Sequence, residues 1–240
     1  MDDAYRKIGV LVKTSFVDFP GTIATALFLR GCNLKCPYCY NRDLVIGEPD
    51  PEEMVSFDQV INHLEKRKKV IAGFVISGGE PTISPYTENL IVEARKLGYK
   101  IKLDTNGLSP EKLAYFLDNK DLRPDFVAMD VKTSPSKYHL LKPQDGHDSE
   151  KALTASIELV SALPKSCREF RTVLVPVLVT DSDIREIATL LPKDATWKLG
   201  KFRTGECIDP NYNKIQPYND LQYKELTTIA SGLIPNTETR

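Results

Sequence analysis

Apolar, β-branched runs recur six times along this chain, at Ile23 to Leu29, Phe74 to Ile76, Lys100 to Leu103, Phe126 to Met129, Thr172 to Val175 and Thr196 to Leu199. Short runs of this kind read as buried strands. An amphipathic stretch follows each one. Ser56 precedes Phe57, Val60, Ile61 and Leu64 on one helical face, Ser109 and Pro110 open Leu113, Phe116 and Leu117, and Ser149 precedes Leu153, Ile157 and Val160. Thr87 to Leu97, Asp181 to Leu191 and Asn219 to Leu233 complete the set, the last through Leu221, Tyr223, Leu226, Ile229 and Leu233 as a packing helix. Strand and helix in alternation predict an α/β fold of parallel strands joined by right-handed crossovers. Periodicity does not choose between an open sheet and a barrel. No repeat, low-complexity tract or Gly/Ser linker divides the 240 residues, so a single domain over 1–240 is expected, its core at about 20–200.

Composition narrows the functional classes. The formal net charge is -1, which gives no global electrostatic reason to bind nucleic acid or an anionic membrane. Met1-Asp2-Asp3 leads into charged residues rather than an apolar export segment, and no apolar run is long enough to span a bilayer. A cytoplasmic protein is expected. Three of the five cysteines, Cys32, Cys36 and Cys39, fall within eight positions, which suits metal binding in a reducing compartment better than a disulfide scaffold. Cys167 and Cys207 read as ordinary thiols.

The polar motifs Gly78-Gly79-Glu80, Asp104-Thr105-Asn106 and Asp130-Val131-Lys132 each follow the apolar end of an expected strand. In α/β sheets and barrels the carboxyl ends of strands carry the active site. The three cysteines lie on a loop after the first of the six runs, with Gly31 allowing a turn and Pro37 restricting it. An iron–sulfur cluster is held by four thiolates, so three would leave one iron open for chemistry. Structural zinc is the competing reading, but zinc needs a fourth ligand, and His63, His139 and His147 lack the near spacing of a zinc knuckle. Arg171, between Phe170 and Thr172, points off a strand toward one face. A charge there needs a partner, met equally by a bound carboxylate or by an internal Asp or Glu.

The spacing Cys32, Cys36, Cys39, with Tyr38 just before the third cysteine, followed downstream by Ser77-Gly78-Gly79-Glu80-Pro81, resembles the radical S-adenosylmethionine (radical SAM) enzymes. The resemblance implies a partial (β/α)6 barrel. It also implies a [4Fe-4S] cluster on the three cysteines and S-adenosyl-L-methionine chelated to the open iron through its amino and carboxylate groups. Reductive cleavage then gives a 5′-deoxyadenosyl radical that abstracts hydrogen. By the same resemblance Gly78, Gly79 and Glu80 hold the methionine amino group, and Tyr38 lies against adenine unless it is simply a core aromatic. Asp104, Thr105 and Asp130, with Asn106 beside them, resemble positions that in activators of glycyl radical enzymes hold a monovalent cation near the cofactor carboxylate; oxygen ligands suit such a hard cation. The plain alternatives are that Asp104 caps a turn and that Asp130 pairs with Lys132. Lys132 and Arg171 would reach the carboxylate or ribose.

Within that superfamily, Thr14 to Gly21, Phe28 to Leu34, Cys36 to Asn41 and Phe202 to Pro210 resemble the glycyl radical enzyme activating enzymes, in particular those that act on anaerobic ribonucleoside-triphosphate reductase. The implied partners are a glycyl radical enzyme, expected to be anaerobic ribonucleotide reductase, and an electron donor such as flavodoxin or ferredoxin. Asp18 would face the partner's glycine loop. Three features depart from the pattern: Tyr40 stands where many activators carry His, Thr204 where Pro is expected, and Lys198 to Lys201 lacks a His or Gln. Thr133 to His147, rich in Pro, Ser, Lys and Gly, reads as a mobile loop or a solvated connection. A radical SAM enzyme acting directly on a small metabolite or a peptide stays open as the alternative.

Overall fold

The computed structural model describes residues 7–47, 52–144, 146 and 148–240. Met1 to Asp3 and His147, both used in the sequence reading, lie outside them. The chain divides into two compact units, the first built from Met1–Cys32, Asp43–Thr105 and Glu111–Val127, the second from Asn33–Arg42, Asn106–Pro110 and Ala128–Arg240.

The first unit contains β1 (Lys7–Ser15), β2 (Ala24–Leu29), the short α1 (Arg42–Val45), β3 (Met54–Ser56), α2 (Phe57–Arg67), β4 (Gly73–Gly78), α3 (Thr87–Lys96), β5 (Lys100–Thr105) and most of α4 (Pro110–Asp118). Its strands run in the order β3-β1-β2-β4-β5. β2, β4 and β5 are parallel, with Leu27 beside Ile76 and Ile76 beside Leu103, as their continuous apolar runs require. β1 is antiparallel to both β2 and β3. A capping box starts α2: Ser56 Oγ accepts from Gln59 N–H at 3.3 Å while Gln59 Oε1 accepts from Ser56 N–H at 2.8 Å. Phe19, Ala24, Ala26 and Val75 form an apolar cluster, flanked by Phe28 and Phe126.

β6 (Phe126–Asp130) leads from one unit into the other. Just before its start, Asp125 N–H donates to Ile101 O at 2.8 Å in the first unit; just past its end, Val131 N–H donates to Arg171 O at 2.9 Å in the second.

The second unit continues with α5 (Ser149–Ser161), β7 (Arg168–Leu174), α6 (Asp181–Leu190), β8 (Trp197–Lys201), α7 (Asp220–Leu233) and β9 (Thr237–Thr239). β7, β8 and β9 are parallel, with Thr172, Leu199 and Thr239 in register. Trp197 is fully buried and its indole N–H donates to Thr172 Oγ1 at 3.0 Å, so the large ring loses no hydrogen bond on burial. α7 packs through Tyr223 and Leu226, and the Tyr223 hydroxyl donates to Leu199 O at 2.8 Å.

The structure adds to the sequence reading and corrects it in places. β1, β3 and β9 join the six expected strands. Asp148, not Ser149, caps α5, accepting from Lys151 N–H at 3.3 Å. Leu221 is exposed rather than on the packing face of α7. Thr133 to His147 contains a 3-10 helix, Pro135–Leu141, that buries Pro135, Tyr138 and Leu141. That burial is incompatible with a merely solvated loop. Among the described residues no helix is long and apolar enough to cross a membrane.

Candidate active site

In the first unit the glycines of Gly78-Gly79-Glu80 answer a packing demand. Gly79 N–H donates to Leu29 O and Glu80 N–H to Gly31 O, both at 2.8 Å. A Cβ on Gly79 would stand 1.8 Å from Gly31 O, and Gly78, at φ 107°, would place one 2.3 Å from Leu29 N. The motif is therefore laid directly against Gly31, the residue before Cys32, which itself has φ 85°. Glu80 is 1 % exposed. Its Oε1 accepts from Thr82 N–H at 3.1 Å, Thr82 Oγ1 at 2.6 Å and Thr105 Oγ1 at 2.8 Å, so the acid caps the 3-10 turn Pro81–Ile83 and ties it to β5. Asp104 accepts from Ser77 Oγ at 2.8 Å and pairs with the ammonium of Lys102.

In the second unit the remaining cysteines are braced from several sides. Cys39 N–H donates to Cys36 O at 3.0 Å, closing the turn around Pro37 and Tyr38. Lys35 N–H donates to Leu141 O at 3.2 Å, Gln144 N–H to Asn33 O at 2.9 Å, and Leu34 forms a bridge with Pro143. The Asn33 side chain, which the sequence reading passed over, accepts from Asn106 Nδ2 at 2.8 Å and donates to Ser109 Oγ at 3.2 Å. Asn106 is thus placed as a support of the cysteine loop. Tyr38 is buried edge-on against Phe202, ring centroids 6.5 Å apart, so the core-aromatic reading accounts for its packing. Tyr40 stacks on Phe202 at 6.3 Å and its hydroxyl accepts from Arg203 N–H at 2.8 Å. Asp209 N–H donates to Pro37 O at 2.9 Å. Tyr40 therefore anchors the Phe202 to Pro210 motif over the loop.

Charge in this unit centres on Asp130, whose carboxylate accepts from Arg171 Nε at 2.7 Å and Lys132 Nζ at 3.2 Å. Arg171 thus has an internal acid as a counter-charge. Burial alone would push the Asp130 carboxyl up, but the two cations hold it well below the usual carboxylate range. Burial would lower Lys132, yet Asp130 above all keeps its ammonium charged. Burial also raises the thiol of Cys39, and Lys132 opposes that rise. Because the folded-state pKa of Asp130 is depressed, its contribution to stability is complete above the unfolded value near ~4 and is lost as pH falls below it. Asp130→Asn is expected to cost about 1–2 kcal/mol at pH 7, at the low end for a paired charge because a third of the side chain meets solvent. Urea unfolding at pH 7, 5, 4 and 3 checks this: the gap between wild type and variant should shrink from pH 4 downward, and a constant gap would refute it.

None of the five cysteines is in a disulfide. His63 Nε2 is bonded to Thr25 Oγ1 and Lys13 O, and His139 Nδ1 to Ser136 O. Among the described residues no group of three or more His, Cys, Asp or Glu is gathered as a single ion would need. The three thiols of Cys32, Cys36 and Cys39 are the kind of donor an iron–sulfur cube takes, and Lys132, which interacts with Cys36 and Cys39, favours thiolate charge there. Just past β1, Asp18 accepts from Ser15 Oγ at 2.6 Å, beside exposed Phe16 and Val17.

The family model of the radical SAM superfamily matches residues 27–191, and the chain belongs to that superfamily. It is a radical SAM enzyme of α/β fold with mostly parallel strands, and the family implies a [4Fe-4S] cluster and S-adenosyl-L-methionine. A protein of Methanocaldococcus jannaschii, provisionally named a glycyl-radical enzyme activating enzyme, is 28 % identical over 237 residues, covering 96 % of this chain and 94 % of its own. The pyruvate formate-lyase-activating enzyme of Staphylococcus aureus is 32 % identical over 133 residues, 52 % of each chain. The solved structure of QueE from Escherichia coli superposes with a TM-score of 0.52 at 15 % identity, over 98 % of this chain and 93 % of that one. At that identity it speaks for the fold alone.

Proposed function

We propose that this protein is an activase that generates a glycyl radical on a partner enzyme, and that the partner is anaerobic ribonucleoside-triphosphate reductase. The observation that carries the reading is the likeness to the Methanocaldococcus jannaschii protein, which runs through nearly the whole of both chains. When bound, the cluster and S-adenosyl-L-methionine supply a 5′-deoxyadenosyl radical that removes hydrogen from a backbone glycine. Cys32, Cys36 and Cys39 hold the cluster. Gly78 to Glu80 offer backbone and an acid to the methionine amino group, and Asp104, Thr105 and Asn106 serve the cofactor as well. Lys132 and Arg171, which share the single carboxylate of Asp130 and so keep one net positive charge, orient toward carboxylate and ribose, and Tyr38 borders the adenine. Asp18 and its exposed turn meet the partner, a flavodoxin or ferredoxin delivers the electron, and one cytoplasmic domain over 1–240 carries all of it.

The test is anaerobic electron paramagnetic resonance after mixing the loaded protein with reductant, S-adenosyl-L-methionine and the candidate reductase. A stable radical on the reductase is expected, lost when its glycine is replaced. Cofactor consumed by a small molecule or peptide, with no protein radical, would refute the activase reading and favour a direct-acting enzyme.

A further inference from the structure

The buried lysine of β5 has no place in the sequence reading, where it passed as part of an apolar run. Lys102 is 1 % exposed. It lies beside Val75 in the parallel register, and Val75 belongs to the apolar cluster of Phe19, Ala24 and Ala26. An ammonium is costly to bury there unless a fixed negative charge meets it. Residues two apart on a strand share a face, and Lys102 meets Asp104 on that face, its Nζ bonded to Asp104 Oδ1. Ser77, two residues beyond Val75, donates to the other oxygen, Oδ2, at 2.8 Å. The aliphatic stem of the lysine can lie along apolar neighbours while its charged end reaches the carboxylate.

The cation expected at Asp104, Thr105 and Asp130 does not fit these residues. A hard cation needs oxygen lone pairs converging on it from several groups. Here the Asp104 carboxylate meets an ammonium and a hydroxyl donor, and Thr105 is turned to Glu80. Asp130, in the second unit, is bonded to Arg171 and Lys132. Lys102 carries the same single positive charge as sodium or potassium, delivered covalently. We infer that Lys102 takes the place of a bound monovalent cation beside Asp104, so that this protein binds its cofactor without dependence on sodium or potassium. The inference rests on Asp104 belonging to the cofactor site as proposed above, but its test needs no partner protein.

The test uses the full chain, anaerobically loaded with its cluster, in sodium, potassium or choline chloride at equal ionic strength. Two readouts are followed: the thermal midpoint, and the line width of thallium(I), a potassium surrogate, by nuclear magnetic resonance. The wild type should unfold at the same temperature in all three salts and show no saturable thallium broadening. Lys102→Ala, which opens the lysine's space and leaves the carboxylate, should acquire saturable thallium binding and a midpoint about 3 °C or more higher in potassium than in choline. The double variant Lys102→Ala/Asp104→Asn should lose both effects. Lys102→Ser replaces Lys102→Ala should the latter not fold in any salt. Saturable thallium binding by the wild type would overturn the inference, as would a folded Lys102→Ala or Lys102→Ser indifferent to all three salts. Neither result bears on whether a glycine is the radical's target.

Discussion

Cys36→Ala is expected to leave the protein with background iron and acid-labile sulfide after anaerobic reconstitution, and without the visible absorption of a cluster. Cys167→Ala and Cys207→Ala should load as the wild type does. Three thiolates are the fewest that fix a cube with one open iron, and two do not retain it. The thiols must also lose their protons to bind metal. Burial works against that at Cys39, Lys132 works for it, and the iron's own charge completes the change. The substitution itself disturbs little, because the turn at this position is closed by the Cys36 backbone carbonyl and not by its side chain. Far-ultraviolet circular dichroism should therefore match the wild type. Cys167 is half-buried beside Ser166, and Cys207 is buried with its backbone N–H donating to Asn213 Oδ1. Equal loss of iron in Cys36→Ala and Cys167→Ala would contradict the ligand assignment.

The six main strands were legible because parallel strands covered on both faces must be apolar throughout, and such runs survive in the sequence without help from pairing partners. β3 and β9 have three residues each, too few to show a period, and exist because β1 and β8 offer them an edge. The cysteine spacing is local and could be read directly. Its bracing could not, since Asn33 meets Asn106 and Ser109 across more than seventy positions of chain. The same holds for Arg171, whose need for a counter-charge followed from its neighbours while the identity of Asp130 did not. Tyr40 looked like a departure from a pattern. With Phe202 and Arg203 in view it is a hydrogen-bonded stack, a contact only tertiary structure can supply. Lys102 was hidden by the opposite error: a long side chain in an apolar run passes unnoticed until its burial and its partner are known.

Gly79→Ala is expected to destabilise the cluster-free protein by about 3 kcal/mol or more, since overpacking against backbone has no flexible side chain to absorb it. For a chain of this size that lowers the thermal midpoint by roughly 6–12 °C. The added Cβ would fall 1.8 Å from Gly31 O and 2.6 Å from Gly31 C, so β4 and the chain after β2 must separate. Two hydrogen bonds are then at risk, Gly79 N–H to Leu29 O and Glu80 N–H to Gly31 O. Gly232→Ala is the matched control: apart from its chain neighbours and its own helix backbone, nothing lies within 4 Å of its added Cβ, and inside α7 alanine should leave stability unchanged or slightly raised. Thermal and urea unfolding of both variants, without cluster or cofactor, separates packing from binding. Were the glycine needed only to let a ligand approach the backbone, Gly79→Ala would unfold within about 0.5 kcal/mol of the wild type and lose only cofactor affinity. A loss already present in the cluster-free chain would place the cause at Gly31, one residue from Cys32. The second motif would then act first by fixing where the cysteine loop begins, with any contact to the methionine amino group built on that join.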